Sequence, residues 1–118
     1  SQGQRQIVIL ARCIVQDSPV MLMDEPDSAL DFLNRHMVLS KIRELIKEEN
    51  KAGLITLHDP NFAMAYCDRL LLLKDGRLVG ELDMRRAKAD EVKKKLSLIY
   101  GDIELLQSGD SFLMGKAL

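Results

Sequence analysis

Two short groups of ionisable residues, each placed directly after an apolar run, hold the side chains best suited to chemistry. Asp24 and Glu25 follow the run 20–23, and His58 follows the run 54–57. Short continuous apolar runs are typical of strands in a parallel sheet that is covered on both faces. Because ligands collect at the carboxyl ends of such strands, we expect the two acids and the imidazole to converge on one ligand.

These residue types point to phosphoryl transfer. An acid at a strand end, Asp24, can hold a hydrated Mg²⁺, which prefers carboxylate, water and phosphate oxygens. The next acid, Glu25, can orient or deprotonate an attacking water, a role worth roughly 10²- to 10⁴-fold in rate. His58 can donate a hydrogen bond to the transferring γ-phosphate. Neither acid has further His, Cys or carboxylate residues at zinc-site spacing, so a dedicated zinc site is not expected.

Each group alone has an ordinary structural interpretation. Asp-Glu-Pro by itself is most often a turn with solvated acids, and a single histidine is most often a satisfied structural residue. The shared position of Asp24, Glu25 and His58 just past two buried-type strands favours the functional interpretation for both groups.

Periodicity and turn residues predict the elements that position these side chains. Asp59 is predicted to cap a helix that begins at Pro60, and Gly53 is predicted as the C-cap of the helix before it. Asp75-Gly76 predicts a hairpin turn. The predicted helices are 4–16, 31–50, 60–66 and 89–100, and the predicted strands are 20–23, 54–57, 69–74, 103–106 and 112–114.

Alternating strands and helices of these lengths predict an α/β fold, with parallel strands joined by crossover helices and an antiparallel addition at the end. The 118 residues form one domain or part of one. A formal net charge of −1 gives no support for a nucleic-acid partner. Cys13 and Cys67 lie in no metal-like spacing and are predicted to be free thiols in a reducing cytosol. No apolar run is long enough to span a membrane.

Four motifs, SQGQRQ, VMLMDEP, SALD and LITLHD, occur in this order along the chain. In this order and spacing they resemble the ATPase subunit of ATP-binding cassette (ABC) transporters. The resemblance covers essentially the whole chain but only the C-terminal half of such a subunit. Residues 1–118 are therefore expected to be a partial nucleotide-binding domain: the C-terminal part of a P-loop NTPase cassette, ending in a β-hairpin and helix.

The resemblance implies ATP and Mg²⁺ as cofactors and a role for each matched residue. SQGQ is similar to the signature loop of the family, although Gln2 replaces the first glycine and the preceding leucine is absent. That loop binds the ATP held by the other subunit, and its position at a helix N-terminus suits an anion. The implied roles are signature-loop contacts for Ser1, Gly3 and Gln4, magnesium binding through water for Asp24, catalysis for Glu25, the end of the D-loop for Asp31 and the switch histidine for His58.

The phosphate-binding Walker A loop, G-x-x-x-x-G-K-[ST], has no acceptable match in these 118 residues. The stretch GDSFLMGKA, residues 109–117, has one residue too many between its glycines and an alanine where Ser or Thr is required. No helix is predicted after it. The resemblance implies that the full protein is an ATPase. Because residues 1–118 lack the Walker A loop, we expect them to be inactive on their own.

Two later stretches, AYCDRLLLLKDGRLV and LIYGDIELL, look most like importers of iron-siderophores, haem, cobalamin and related metal chelates. Membership of that subfamily implies a second ATPase subunit in a head-to-tail dimer, membrane permease subunits, no nucleic acid, and a peripheral position on the cytoplasmic face of the inner or plasma membrane. Two alternatives stay open. One is a non-transport ABC ATPase of the DNA-repair or chromosome-maintenance type, and the other is a non-catalytic fragment that supplies a dimer surface.

Overall fold

The computed structural model describes residues 4–5 and 18–117. Both residues of the first range are helical and exposed, as predicted for the start of the first helix. The rest of that predicted helix, 6–16, lies outside the described residues. The other predictions that lie outside them concern Ser1, Gly3 and Cys13.

The elements agree closely with the predicted ones, with most boundaries shifted by one or two residues. In chain order they are β1 (Val20–Asp24), α1 (Phe32–Glu48), β2 (Ala52–Thr56), α2 (Pro60–Tyr66), β3 (Arg69–Lys74), β4 (Arg77–Asp83), α3 (Ala89–Tyr100), β5 (Ile103–Ser108) and β6 (Ser111–Lys116). Among the residues that the structure describes, no helix combines the length and the apolar character needed to cross a membrane.

The chain forms two compact units, and the first is Ser1–His58. Its described part is a β1–α1–β2 unit in which the two strands pair in parallel, from Val20 opposite Ala52 to Asp24 opposite Thr56. The predicted crossover is therefore confirmed. Hydrophobic side chains buried in this part are Met21 of β1 and Val38, Leu39 and Ile42 of α1.

The prediction that β1 is covered on both faces is wrong for the described structure. The side chain of Met21 is 2% exposed, whereas Leu22 is 72% exposed. Leu54, the parallel neighbour of Leu22, is 54% exposed. Successive side chains of a strand point to opposite faces, so one face of this two-stranded sheet packs and the other is open.

Gly53 is not the C-cap of α1, and that prediction is wrong. The helix ends two residues earlier than expected: Glu48 is its last residue, Glu49 caps it and Asn50 turns the chain with a φ of 51°. Gly53 lies inside β2, where a Cβ atom would stand 2.4 Å from Cδ1 of Ile46. A Cβ atom at this position would require the Ile46 side chain of α1 to move.

The second unit is Asp59–Leu118. The two predicted helix ends in this unit are confirmed. The Asp59 carboxylate caps α2 by accepting from the backbone N–H groups of Asn61 at 2.8 Å and Phe62 at 3.4 Å. Gly101 ends α3 with a φ of 73°. The core of the unit consists of Met64, Leu70, Leu72, Leu82, Val92, Leu96, Ile103 and Phe112.

The predicted turn at Asp75-Gly76 is confirmed as the connection of the β3–β4 hairpin. Both residues have positive φ, 51° and 74°, as a two-residue type I′ turn requires. β3 pairs antiparallel with β4 over its whole length. Parallel pairing in the described ranges joins β1 to β2, and β3–β4 is an antiparallel hairpin.

The C-terminal hairpin confirms that GDSFLMGKA is not a phosphate-binding loop. Gly109 lies in the β5–β6 turn with a φ of 60°, and the stretch from Ser111 onward is the strand β6. Asn61 of α2 holds this strand: its side-chain N–H donates to the Met114 carbonyl at 3.0 Å, and its Oδ1 accepts from the Met114 N–H at 2.6 Å. The hairpin is thus a structural element of the second unit.

Candidate functional site

The carboxyl ends of β1 and β2 are joined by the hydroxyl of Thr56. This hydroxyl donates to Oδ1 of Asp24 at 2.5 Å and accepts from the backbone N–H of Glu25 at 2.9 Å. The parallel register places Thr56 directly opposite Asp24. One side chain of β2 therefore orients both acids at the end of β1.

Glu25 is the first residue past β1, and its backbone has a positive φ. Its φ is 47°, in the left-handed region that non-glycine residues rarely adopt and that costs about 1–3 kcal/mol. Its carboxylate Oε1 contacts Nε2 of His58. The carboxylate is 36% exposed and the imidazole 89% exposed, so solvent reaches both groups.

The loop from Glu25 to Asp31 is built from two tight turns. The backbone N–H of Ser28 donates to the Glu25 carbonyl at 3.0 Å, and that of Leu30 donates to the Asp27 carbonyl at 3.4 Å. Ala29 between them has a φ of 63°. The loop is therefore compact and is closed by local backbone bonds.

Asp27 is a buried charged residue, with its side chain only 6% exposed. Its Oδ2 accepts from Arg35 of α1 twice, from Nε at 3.1 Å and from Nη2 at 3.0 Å. A buried carboxylate is costly unless it is paired in this way. The ion pair ties the middle of the loop to the first turn of α1.

Asp31 ends the loop and begins the helix. Its backbone is extended, and its Oδ1 accepts from the N–H of Asn34 at 2.8 Å, which makes it the N-cap of α1. Such a cap satisfies one of the unpaired N–H groups at a helix start. In this chain Asp31 therefore serves the start of α1, and its predicted role at the end of a D-loop stays a prediction.

A pocket of about 220 Å³ lies at this end of the first unit. It is open to solvent and brings a carboxylate, an imidazole and a guanidinium together. The residues that line it are Glu25, Asp27, Ser28, Ala29, Leu30, Arg35 and His58. Within the described ranges no group of three His, Cys, Asp or Glu residues is arranged to hold a metal ion by itself. This arrangement suits proton transfer with a water or a phosphate-bearing ligand better than a metal cage.

The structure brings Glu25 and His58 into contact, and it places Asp24 beside them through Thr56. The catalytic and magnesium-binding roles of these residues stay predictions, and so do those of Ser1, Gly3, Gln4 and Asp31. Thr56 was missed by the sequence analysis. Its signal was present, because it stands two residues before His58 and opposite Asp24 in a parallel register.

Asp27 and Arg35 were also missed. Asp27 lies in the same acidic stretch as Glu25, but the sequence Asp27-Ser28 is typical of an exposed turn and does not predict a buried carboxylate. Arg35 stands eight residues further along, at the start of a helix that is polar on one side. The spacing of Arg35 one turn after the helix cap is the only local signal that the two charges could meet.

Comparison with known proteins gives many similar sequences, although a scan against models of protein families finds no match. An uncharacterised ABC transporter ATP-binding protein of Methanocaldococcus jannaschii is 40% identical over 81 residues, 69% of this chain and 32% of the relative. The hemin import ATP-binding protein of Vibrio parahaemolyticus is 38% identical over 106 residues, 86% of this chain and 40% of the relative. The phosphonates import ATP-binding protein of a Nostoc species is 36% identical and covers 93% of this chain.

A solved structure of a metal-chelate type ABC transporter in an inward-facing conformation matches the fold with a TM-score of 0.76 and 30% identity. The match covers 98% of this chain and 46% of that chain. The present chain spans less than half the length of the relatives and of the solved structure that it matches. The predicted α/β fold with crossover helices and a C-terminal hairpin and helix is confirmed by this likeness.

Proposed function

Because this chain belongs to the ATP-binding proteins of ABC transporters, we propose that it forms part of a subunit that hydrolyses ATP to drive import of a metal chelate. The observation that carries the proposal is the contact between Glu25 and His58 in an open pocket at the carboxyl ends of two parallel strands. An acid and an imidazole placed at this edge of an α/β sheet are suited to act on one phosphate ligand.

In the proposed reaction the Glu25 carboxylate orients the attacking water and accepts its proton. The left-handed backbone of Glu25 and the bond from its N–H to Thr56 aim this carboxylate away from the strand. His58, in contact with Glu25 Oε1, restrains the carboxylate and is available to donate to the γ-phosphate when the nucleotide is bound. Carboxylate general bases contribute about 10²- to 10⁴-fold in rate.

The donor set fits a magnesium ion. Asp24 presents an exposed carboxylate next to the Thr56 hydroxyl, and carboxylate oxygen is a ligand that a hydrated Mg²⁺ prefers. Asp24 would hold the ion through water. When bound, Mg²⁺ neutralises charge on the phosphate oxygens.

The other proposed nucleotide contacts of this chain are made to the ATP that a second subunit holds. Ser1, Gly3 and Gln4 would contact the ATP held by the partner of a head-to-tail dimer, and Asp31 would lie near the same boundary. Membrane permease subunits would complete the importer, with this subunit peripheral on the cytoplasmic side. The proposal for Gln4 is supported by its helical and exposed position.

Relatives named for haemin, cobalamin and iron chelatin import support a metal chelate as the transported substrate. They support the importer rather than the DNA-repair alternative. Relatives named for phosphonates and thiamine import are also similar. The substrate class therefore needs a direct assay: uptake of a ferric siderophore, haemin and cobalamin by cells that lack the gene, compared with phosphonate uptake. Loss of phosphonate uptake alone would contradict the metal-chelate proposal.

The activity is tested by steady-state ATP hydrolysis with the full-length protein that carries this chain. Glu25→Gln keeps the size of the side chain but removes the basic carboxylate. We expect its kcat to fall by about 10²- to 10⁴-fold, while binding of Mg-ATP is retained.

The matched control is Glu44→Gln, an exposed glutamate on α1. It should hydrolyse ATP at the wild-type rate. A Glu25→Gln variant that keeps the wild-type kcat would show that Glu25 takes no part in ATP hydrolysis. A full-length wild-type protein without magnesium-dependent turnover would contradict the proposed activity itself.

A further inference from the structure

The loop that follows Glu25 is attached to the rest of the first unit at both of its ends. At the first end, the Glu25 N–H is held by Thr56 of β2. At the second end, Asp31 caps α1. Between these points the Glu25 carbonyl accepts from Ser28, so any movement of the central turn is transmitted to the backbone of Glu25.

The Asp27–Arg35 ion pair is the side-chain bond that restrains this central turn. Both guanidinium donors, Nε and Nη2, meet the same oxygen of Asp27, at 3.1 and 3.0 Å. A guanidinium presents its donors in a fixed plane, which makes such a pair directional. Arg35 belongs to the first turn of the 17-residue helix α1 and is therefore a rigid anchor.

Stability alone does not explain the pair. Taking two charges out of water is expensive, and apolar side chains of similar volume are often as good or better at such positions. Arg35 also lines the same pocket as Glu25 and His58. The charged pair is therefore better suited to fixing the conformation of the loop than to improving its packing.

We propose that Asp27 and Arg35 form a positioning pair that holds the Glu25 carboxylate in its reactive orientation. The inference rests on the proposed function, since it assigns these residues a role in ATP hydrolysis without direct contact with the nucleotide. The pair acts through the turn Glu25–Ser28, whose strained backbone at Glu25 would otherwise relax to a commoner conformation.

The test uses the full-length protein and compares Asp27→Leu, Arg35→Met and the double variant. Asp27→Leu removes the acceptor of two Arg35 bonds, Arg35→Met removes the two donors to the buried Asp27 carboxylate, and each single variant should lower the melting temperature. The double variant replaces the pair by apolar groups and should recover the melting temperature. Its kcat should nevertheless stay about 10- to 100-fold below wild type, with KM for ATP within about twofold, because the base is misplaced rather than the nucleotide.

Two further variants make the result independent of a folding defect. Arg35→Lys keeps the charge but replaces two fixed donors by one flexible ammonium, so it should fold normally and lower kcat several-fold. Lys41→Met breaks the exposed Lys41–Glu44 pair on the same helix and should leave both stability and kcat unchanged.

The outcomes separate this inference from the proposed function. A double variant that regains wild-type kcat together with its stability would show the pair to be purely structural, and a wild-type kcat in Arg35→Lys would overturn the inference as well. If Glu25→Gln abolishes turnover but the Arg35 variants do not lower kcat, only the positioning role fails. If the wild-type protein does not hydrolyse ATP, the proposed function fails first.

Discussion

The hydroxyl of Thr56 links Asp24 and Glu25, the two acids of the site. It donates to Asp24 and accepts from the N–H of Glu25, so the strand end and the loop start are joined by one oxygen atom. The geometry follows directly from the parallel register of β1 and β2.

We predict that Thr56→Val, which keeps the shape but removes the hydroxyl, lowers kcat for ATP hydrolysis by about tenfold in the full-length protein. The physical reason is the loss of hydrogen bonds to a charged carboxylate and to the Glu25 backbone, which together hold the base. Steady-state kinetics measure the effect. Thr56→Ser keeps the hydroxyl and serves as the control. Equal rates in the valine and serine variants would contradict the prediction.

At the scale of single residues, the sequence indicates the candidate reacting groups better than the residues that hold them in place. Asp24, Glu25 and His58 stand out because ionisable side chains directly follow apolar runs. Asp27 and Arg35 do not stand out, because burial of an acid depends on how a loop folds back on a helix. A left-handed φ at Glu25 is likewise invisible in a residue type that rarely adopts it.

Among the elements, the contact of α1 with β2 shows how a single missing Cβ sets a packing distance. Gly53 looks like a helix stop in the sequence, since it follows the polar stretch Asn50-Lys51. In the structure it lies under Ile46 instead. The hairpin at Asp75-Gly76 and the cap at Asp59 were predictable because their signals are local, whereas the role of Gly53 depends on a neighbour from another element.

We predict opposite effects for two glycine-to-alanine changes in strands. Gly115→Ala in β6 meets open space and should raise the free energy of unfolding by about 0.5–1 kcal/mol. Gly53→Ala should instead lower it by about 1 kcal/mol, because the new Cβ displaces the Ile46 side chain. Urea unfolding measures both. Adding Ile46→Val, which removes Cδ1, should recover part of the loss, and equal effects at the two glycines would contradict the packing argument.

The end of α3 carries a titratable group whose pKa is shifted by its surroundings. Partial burial of the side chain, which is 38% exposed, raises the pKa of Tyr100 above its usual 10.0, and the negative charge of Asp59 adds to the effect. A raised pKa means that the folded state favours the neutral phenol. Its contribution to stability is therefore complete below about pH 10 and is lost as the pH rises through the folded-state value.

We predict that Tyr100 ionises above pH 10 in the folded chain. The sequence contains two tyrosines, so Tyr66→Phe leaves Tyr100 as the only reporter in an absorbance titration of the phenolate. Asp59→Asn in that background removes the nearby charge and should lower the midpoint. A midpoint at or below 10 before this change would show that burial and charge do not act on Tyr100.

At the scale of the whole molecule, the described residues (4–5 and 18–117) show an uneven distribution of buried apolar side chains. The second unit, Asp59–Leu118, contains a core cluster of eight buried residues. The described part of the first unit buries four hydrophobic side chains, and Leu22 and Leu54 remain open on one sheet face. The fold class could be predicted because periodicity identifies elements. The unequal cores could not, because burial depends on how many elements pack on each face.

We predict from this difference that the two units open with different free energies in the 118-residue chain. Backbone amides of β4 and α3 should exchange with solvent at least about tenfold more slowly than those of β1. Hydrogen exchange read by mass spectrometry on peptides from each element measures the ratio. Equal protection in β1 and β4 would mean that the buried core of the second unit does not determine its stability.

The bond between Asn61 and Met114 has a consequence for how copies of this chain meet. Strands at the margin of a sheet offer free peptide groups, which other chains can join to extend the sheet. In β6 the peptide groups of Met114, near the middle of the strand, are already occupied by the carboxamide of Asn61, which imitates a neighbouring peptide. The side chain therefore blocks the ladder at this edge and makes β6 a poor template for intermolecular sheet growth.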